Sequence, residues 1–286
     1  RYRAGDLDMT NYGLPPEQFA KLQKELPGEV YITRTLATYS YELNNKKAPF
    51  DNVNIRKALN LSLDRNVITD KVLGQGQTPT YVFTPTYIEE GHLIQQPAYS
   101  KEPMAQRNEE AIKLLEEAGY NKANPLKFTI LYNTNENHKK VAIAAASMWK
   151  ANTKGLIDVK LENQEWKTYI DSRRAGRYDA ARAGWNADYN QATTFGNYFL
   201  SNSSNNTAKY ANPEYDKAIA ESYVATDAEG RAKAYAKAEE ILAKDFGIVP
   251  IFNYVNPRLV KPYVKGYSGK DPQDHIYLRN LYIIKH

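Results

Sequence analysis

LKFTILYNTNENHKKVAIAAASMWKANTKGLIDVKLENQEWKTYIDSRRAGRYDAARAGW, from Leu126 to Trp185, decides the fold class. LKFTILYN and IDVKLENQ are short runs rich in β-branched and aromatic residues. ENHKKVAIAAASMWKAN between them is Ala-rich, without Gly or Pro, and long enough for a helix. EWKTYIDSRRAG is a second helical segment with a Gly stop, and RYDAARAGW a third strand. Strands alternating with helices of this length predict β-α units and a mainly parallel sheet. Ligands of such sheets bind beyond the carboxyl ends of the strands. Three loops become candidates: those after Asn133, Gln164 and Gly184.

Working outward, RNEEAIKLLEEAGY is a helix closed by Gly119, and DNVNIRKALNLSLDRNVITDKVLGQG gives two helices capped by Asn52 and Asp64. EVYITRTLATYSYELNN reads as extended chain. PPEQFAKLQKELPG is a short amphipathic helix with Phe19, Leu22 and Leu26 on one face. Downstream, NPEYDKAIAESYVA and DAEGRAKAYAKAEEILAKDF are helices, GIVPIFNYVN is a strand, and the tail is loop and short strand ending in LYII. The opening RYRAGDLDMT reads as the last turn of a helix stopped by Gly5, followed by a strand. The chain is therefore expected to be part of a longer protein, with any signal peptide upstream.

Composition excludes several function classes. The net charge of +5 is spread among interleaved signs, with no Lys/Arg block to track phosphates, so nucleic acid is not expected as a partner. The absence of cysteine excludes disulfides, thiolate metal sites and Cys nucleophiles, and leaves the compartment open. The 23 Tyr, against 8 Phe and 3 Trp, suit half-buried strands and the amphipathic walls of a ligand cleft. No nucleophile elbow, zincin, Walker A or dinucleotide motif occurs, and His92, His138, His275 and His286 have no metal-ligand spacing. No catalytic residue, metal ligand or cofactor is expected.

The three loops carry the chemistry. His138 opens a helix, where solvation of the first turn is its simplest reading. Trp166 opens the next helix, and Arg173 and Arg174 close it, favourably placed for the helix C-terminus. In RAGWNADYN, Arg182 and Asp188 flank Trp185, with Asp188 and Asn190 able to form turns. Each has a plain structural explanation. Together they place Trp166, Trp185, Arg182 and Asp188 near one rim of one sheet. Aromatic walls with one cation and one anion suit a zwitterion, because burying both of its charges requires an opposite charge for each.

RYRAGDLDMT, NQEWKTYIDSR, RAGWNADYN, LSNSSNNTA, YVNPRLVKPYVKGYSGKDP and LYIIKH resemble the periplasmic oligopeptide-binding proteins of Gram-negative ABC importers, the family 5 extracellular solute-binding proteins, over about the C-terminal half. The resemblance implies an α/β, type II periplasmic binding-protein fold, with one complete lobe plus part of the other. Residues 1–36 would belong to the first lobe, 37–255 to the second, and 256–286 would return to the first. It implies a non-catalytic periplasmic receptor, monomeric when intact, that passes short peptides to an inner-membrane ABC permease. In that pattern Asp188 receives the α-ammonium, and Arg182 and His138 meet the C-terminal carboxylate. Trp166, Arg173 and Arg174 line side-chain pockets, and Gly184, Trp185, Glu42 and Tyr254 match further cleft positions. Murein peptides, haem or nickel chelates are alternative ligands of the same fold, and a hydrolase is the alternative from another class. Three departures stand out. Some relatives carry a Cys pair where this chain has Ala37 and Asn186. Arg174 stands in place of an expected His, which would favour acidic side chains in one pocket. Asn253 interrupts a run of three Tyr.

Overall fold

The computed structural model describes residues 1–11 and 13–285; Tyr12 and His286, one of the four histidines, lie outside the described residues. In chain order the helices are α1 (Pro16–Glu25), α2 (Val53–Leu61), α3 (Met104–Glu117), α4 (Glu136–Asn152), α5 (Trp166–Arg174), α6 (Thr193–Gly196), α7 (Pro213–Val224) and α8 (Ala228–Lys244). The strands are β1 (Val30–Leu43), β2 (Thr78–Pro79), β3 (Leu126–Asn133), β4 (Ile157–Gln164), β5 (Ala180–Asn186), β6 (Ile248–Leu259), β7 (Val264–Lys265) and β8 (Tyr282–Ile283).

Six strands form one sheet in the order β2-β6-β1-β5-β3-β4, and β7 pairs with β8 apart from it. β3 runs parallel to β4 and β5, as the β-α alternation predicts. The rest of the sheet is antiparallel: β1 pairs with β5 and β6, and β2 with β6. The sheet is thus mixed rather than mainly parallel. Parallel neighbours need crossover helices, and α4 and α5 supply them only between β3, β4 and β5. The long strands β1 and β6 join as an antiparallel pair instead.

Alternation along the strands sends side chains to two cores. Tyr39, Tyr41 and Leu43 of β1 and Phe128 and Ile130 of β3 pack on Leu59, Leu115 and Trp149 of α2, α3 and α4. Trp149 is fully buried and its indole donates to the Leu59 carbonyl at 2.9 Å. On the opposite face Leu131 and Ala181 meet Tyr169 of α5. Leu36 and Ile248 meet Phe195, Ile219 and Tyr235 of α6, α7 and α8. Helices therefore cover both faces, and the carboxyl ends of β3, β4 and β5 are left for a site.

The caps read from the sequence form. Asn52 accepts a backbone N–H bond at the start of α2, as does Asn135, a cap not read from the sequence, at the start of α4. Asp64 likewise accepts from Asn66 and Val67, but the helix it opens widens into π turns over Val67–Leu73 and ends at Gly74, with φ of +63°. Phe19 and Leu22 of α1 are buried with Tyr2, Leu14 and Leu259 in a separate small cluster. The opening residues differ from expectation. They form a turn, and Met9 makes one isolated bridge to Val260 in place of a strand. No described helix is long and apolar enough to cross a membrane.

Candidate functional site

A groove of about 770 Å³ opens where β3, β4 and β5 end. His138 and Trp166 enter it from the starts of α4 and α5, Arg182, Gly184 and Asn186 from β5, and Tyr39, Phe252 and Tyr254 from β1 and β6. Asn256 of β6 also lines it, with Leu14 and Asp274 from the terminal segments.

Arg182 is the fixed cation. Its Nη2 donates to Tyr254 Oη at 2.5 Å and its Nη1 to Asn133 Oδ1 at 3.5 Å. Its guanidinium also lies 5.2 Å from the centre of the Tyr39 ring. Arg182 Nε has no hydrogen-bond partner among the described residues. Gly184 is what lets this arrangement lie across the strand. A Cβ there would stand 2.9 Å from Arg182 Nη2 and 3.0 Å from Tyr254 Oη.

His138 reaches the same corner from the first turn of α4, where the Asn135 cap accepts from its backbone N–H at 3.1 Å. Its ring packs on Tyr39 at 5.5 Å. Burial first, and the Arg182 charge second, push its pKa down to about 3. His138 is therefore a neutral ring at pH 7.

The anion lies elsewhere. Asp188 is exposed on the loop after β5, outside the residues that line the groove, and makes no ion pair with any described residue. Asp274, which does line the groove, is already paired. Its Oδ2 accepts from Arg258 Nη2 at 2.5 Å and from Asn256 Nδ2. Of the two carboxylates, Asp188 is the one without an ion pair among the described residues.

The remaining candidates separate. Trp166 stands in the groove, 54% exposed, stacked 5.9 Å from Tyr169. Trp185 faces the other side of β5, 5.0 Å from the Tyr198 ring, and donates from its indole to Thr194 Oγ1 at 3.3 Å. Glu42 and Arg173 meet away from the groove lining, with Arg173 Nη2 2.9 Å from Glu42 Oε2. Tyr198 and Thr207 hydroxyls also donate to the fully buried Glu42 carboxylate. Arg174, one residue on, is exposed.

The chain matches the model for bacterial extracellular solute-binding proteins, family 5 Middle, over residues 1–207. It belongs to family 5 of the bacterial extracellular solute-binding proteins. It is 96% identical, over all its length and 53% of the relative's, to the periplasmic oligopeptide-binding protein OppA of Haemophilus influenzae. It is 44% identical, over 52% of the relative's length, to the periplasmic murein peptide-binding protein MppA of Escherichia coli. Among solved structures, Haemophilus influenzae OppA in complex with RPPGFSPFR superposes with a TM-score of 0.92 at 95% identity, covering all of this chain and 56% of that one. The chain spans about half the length of the curated relatives it matches. These relatives are named as binding proteins, not as enzymes.

Within this family 5 chain, Ala37 and Asn186 are direct partners in the β1–β5 register, the places where a cross-strand link would sit. Asn253 donates to Thr38 Oγ1 at 2.9 Å, beside the register break that separates Arg34 from Thr38 in β1. The functional inventory read from sequence omits Tyr39, Phe252 and Asn133, which floor and brace the Arg182 corner. Tyr39 and Phe252 stack at 4.7 Å. Their only sequence signal is an aromatic on the inward parity of a strand, which ordinary core residues share.

Proposed function

We propose that this chain forms the ligand-holding lobe of a periplasmic, non-catalytic receptor that binds short peptides and hands them to an inner-membrane ABC permease. The observation that carries the reading is the division of charge. Arg182 and a neutral His138 share one corner, and an unpaired Asp188 stands on the loop that leaves the same strand. A peptide with free termini presents the two complementary charges. Its backbone can add strand-like hydrogen bonds, and a groove of about 770 Å³ has room for hydrated, varied side chains.

Residues 1–36 and 256–286 belong, on this reading, to a second lobe, and the paired strands β1 and β6 form the hinge. The register break between Arg34 and Thr38 supports that division. Closure needs both lobes, so peptide affinity is expected to be far lower for these 286 residues than at the relatives' full length. The likeness to MppA favours murein peptides as a second reading, which competition between trialanine and a murein tripeptide separates.

Asp188→Ala, in the protein carried at the relatives' full length, tests the assignment by calorimetry. A desolvated charge left without its partner costs about 2 kcal/mol or more. A free-amine tripeptide such as trialanine should lose that much affinity, and its N-acetylated form, already a weak binder, should lose none. Equal losses, or none with either peptide, overturn the reading.

A further inference from the structure

Asp188 sits on an exposed loop with no cross-link beneath it, yet a charge receptor must point one way. The group that orients it is Thr194. The Thr194 side chain is buried in α6, and its Oγ1 stands 3.2 Å from Asp188 N, 3.3 Å from Trp185 Nε1 and 3.5 Å from Asp188 Oδ2. A hydroxyl has one proton and two lone pairs. The backbone N–H of Asp188 and the indole N–H of Trp185 are donors only, so together they fill both lone pairs. The hydroxyl proton is then left to Asp188 Oδ2.

We propose that Thr194 is a positioning residue for ligand binding: with Trp185 it fixes the Asp188 carboxylate so that Oδ1 stays free and faces the ligand's ammonium. This inference rests on the reading of Asp188 as the ammonium receptor. It gives Trp185 a role as well. Its indole does not wall the groove; it saturates the Thr194 hydroxyl and so sets the direction of that hydroxyl's proton. The backbone contributes from below, through Ala187 N donating to Leu36 O at 2.8 Å. The far side of the loop is tied by Gln191, whose Nε2 donates to Glu90 Oε2 at 2.9 Å. The loop is thereby held at both ends without a covalent bond.

The test compares Thr194→Val and Thr194→Ser at the relatives' full length, with trialanine and N-acetyl-trialanine as probes. Thr194→Val keeps the side-chain shape and removes the hydroxyl. It should weaken trialanine binding about tenfold or more, the scale of a lost hydrogen bond to a charged group, and leave the acetylated peptide unchanged. Thr194→Ser should restore binding. In an Asp188→Ala background Thr194→Val should have no further effect on either peptide. Equal weakening of both peptides marks a purely structural role and overturns the proposal, as does no weakening of either. Should Thr194→Val lose its near-ultraviolet circular dichroism, Trp185→Phe carries the test. That variant keeps the hydroxyl but removes one of its two donors, and it should weaken trialanine selectively; an unchanged affinity overturns the proposal. If Asp188→Ala discriminates between the peptides while Thr194→Val does not, this inference alone falls. If Asp188→Ala does not discriminate, the ammonium reading falls with it.

Discussion

Lowering the pH from 7 to 5 with a free-acid peptide present perturbs the Arg182 corner selectively. In the free protein His138 is held neutral, with its pKa pushed down to about 3 by burial and then by Arg182. A carboxylate seated beside both cancels part of each effect. An opposite charge at close range raises a pKa by about 1–3 units, so a shift of about two brings the ring to about 5 in the complex. The complex then binds a proton that the free protein does not, and affinity rises as pH falls. At pH 5 about half a proton is taken up and binding is about twofold tighter than at pH 7; a three-unit shift would give about tenfold. The peptide carboxylate, with a pKa of about 3.5, stays ionised throughout. Calorimetry in buffers of different ionisation enthalpy counts the protons, and a C-terminally amidated peptide is the control. Equal uptake with both peptides, or less than about 0.1 proton with the free acid, would refute the coupling of His138 to the carboxylate. Folding responds with the opposite sign. The unfolded ring titrates near 6.5, so the stability gained by keeping it neutral is complete above that pH and is lost as pH falls from 6.5 toward about 3.

Glu42→Gln leaves Arg173 as a buried cation without its anion and should lower stability in urea by about 3–5 kcal/mol; a loss under about 1 kcal/mol would mean that the pair is not desolvated. Gly184→Ala places a methyl 2.9 Å from Arg182 Nη2 and 3.0 Å from Tyr254 Oη, which must part. Affinity for free-acid peptides should fall by about 1 kcal/mol, with stability little changed. Unchanged affinity would show that the Arg182–Tyr254 bond does not hold the cation in place. Ala37→Cys with Asn186→Cys, the only thiols in a chain that has none, should oxidise to a disulfide and raise stability by about 2–4 kcal/mol. Failure to bridge, measured by thiol titration, would contradict the β1–β5 register.

The β-α half of the sheet was legible because each parallel pair needs a crossover helix, and α4 and α5 lie in the sequence between the strands they join. The antiparallel half was not. Val30 of β1 pairs with Leu259 of β6, and nothing local marks two segments so far apart as partners. The Glu42–Arg173 pair was hidden for the same reason, although half of it could be read. Arg173 lies four residues after Tyr169 on α5 and so shares its buried face, while Arg174 is turned to solvent.

The RAGWNADYN stretch shows how far a motif can mislead about geometry. Taken as a cluster, Arg182, Trp185 and Asp188 suggest one pocket in which a ring separates two charges. Taken as a strand, the same letters say otherwise. Side chains alternate faces with a period of two, so Arg182, Gly184 and Asn186 must point one way and Ala181, Ala183 and Trp185 the other. The structure follows that parity: the first three line the groove, while Trp185 turns to the Tyr198 side. Arg182 therefore needs a Gly two residues on, since any larger residue on its own face would fill the space its guanidinium occupies. Trp185, on the far face, is placed to act on Asp188 only through an intermediary that bridges the strand and the loop, and Thr194 is the side chain in contact with both.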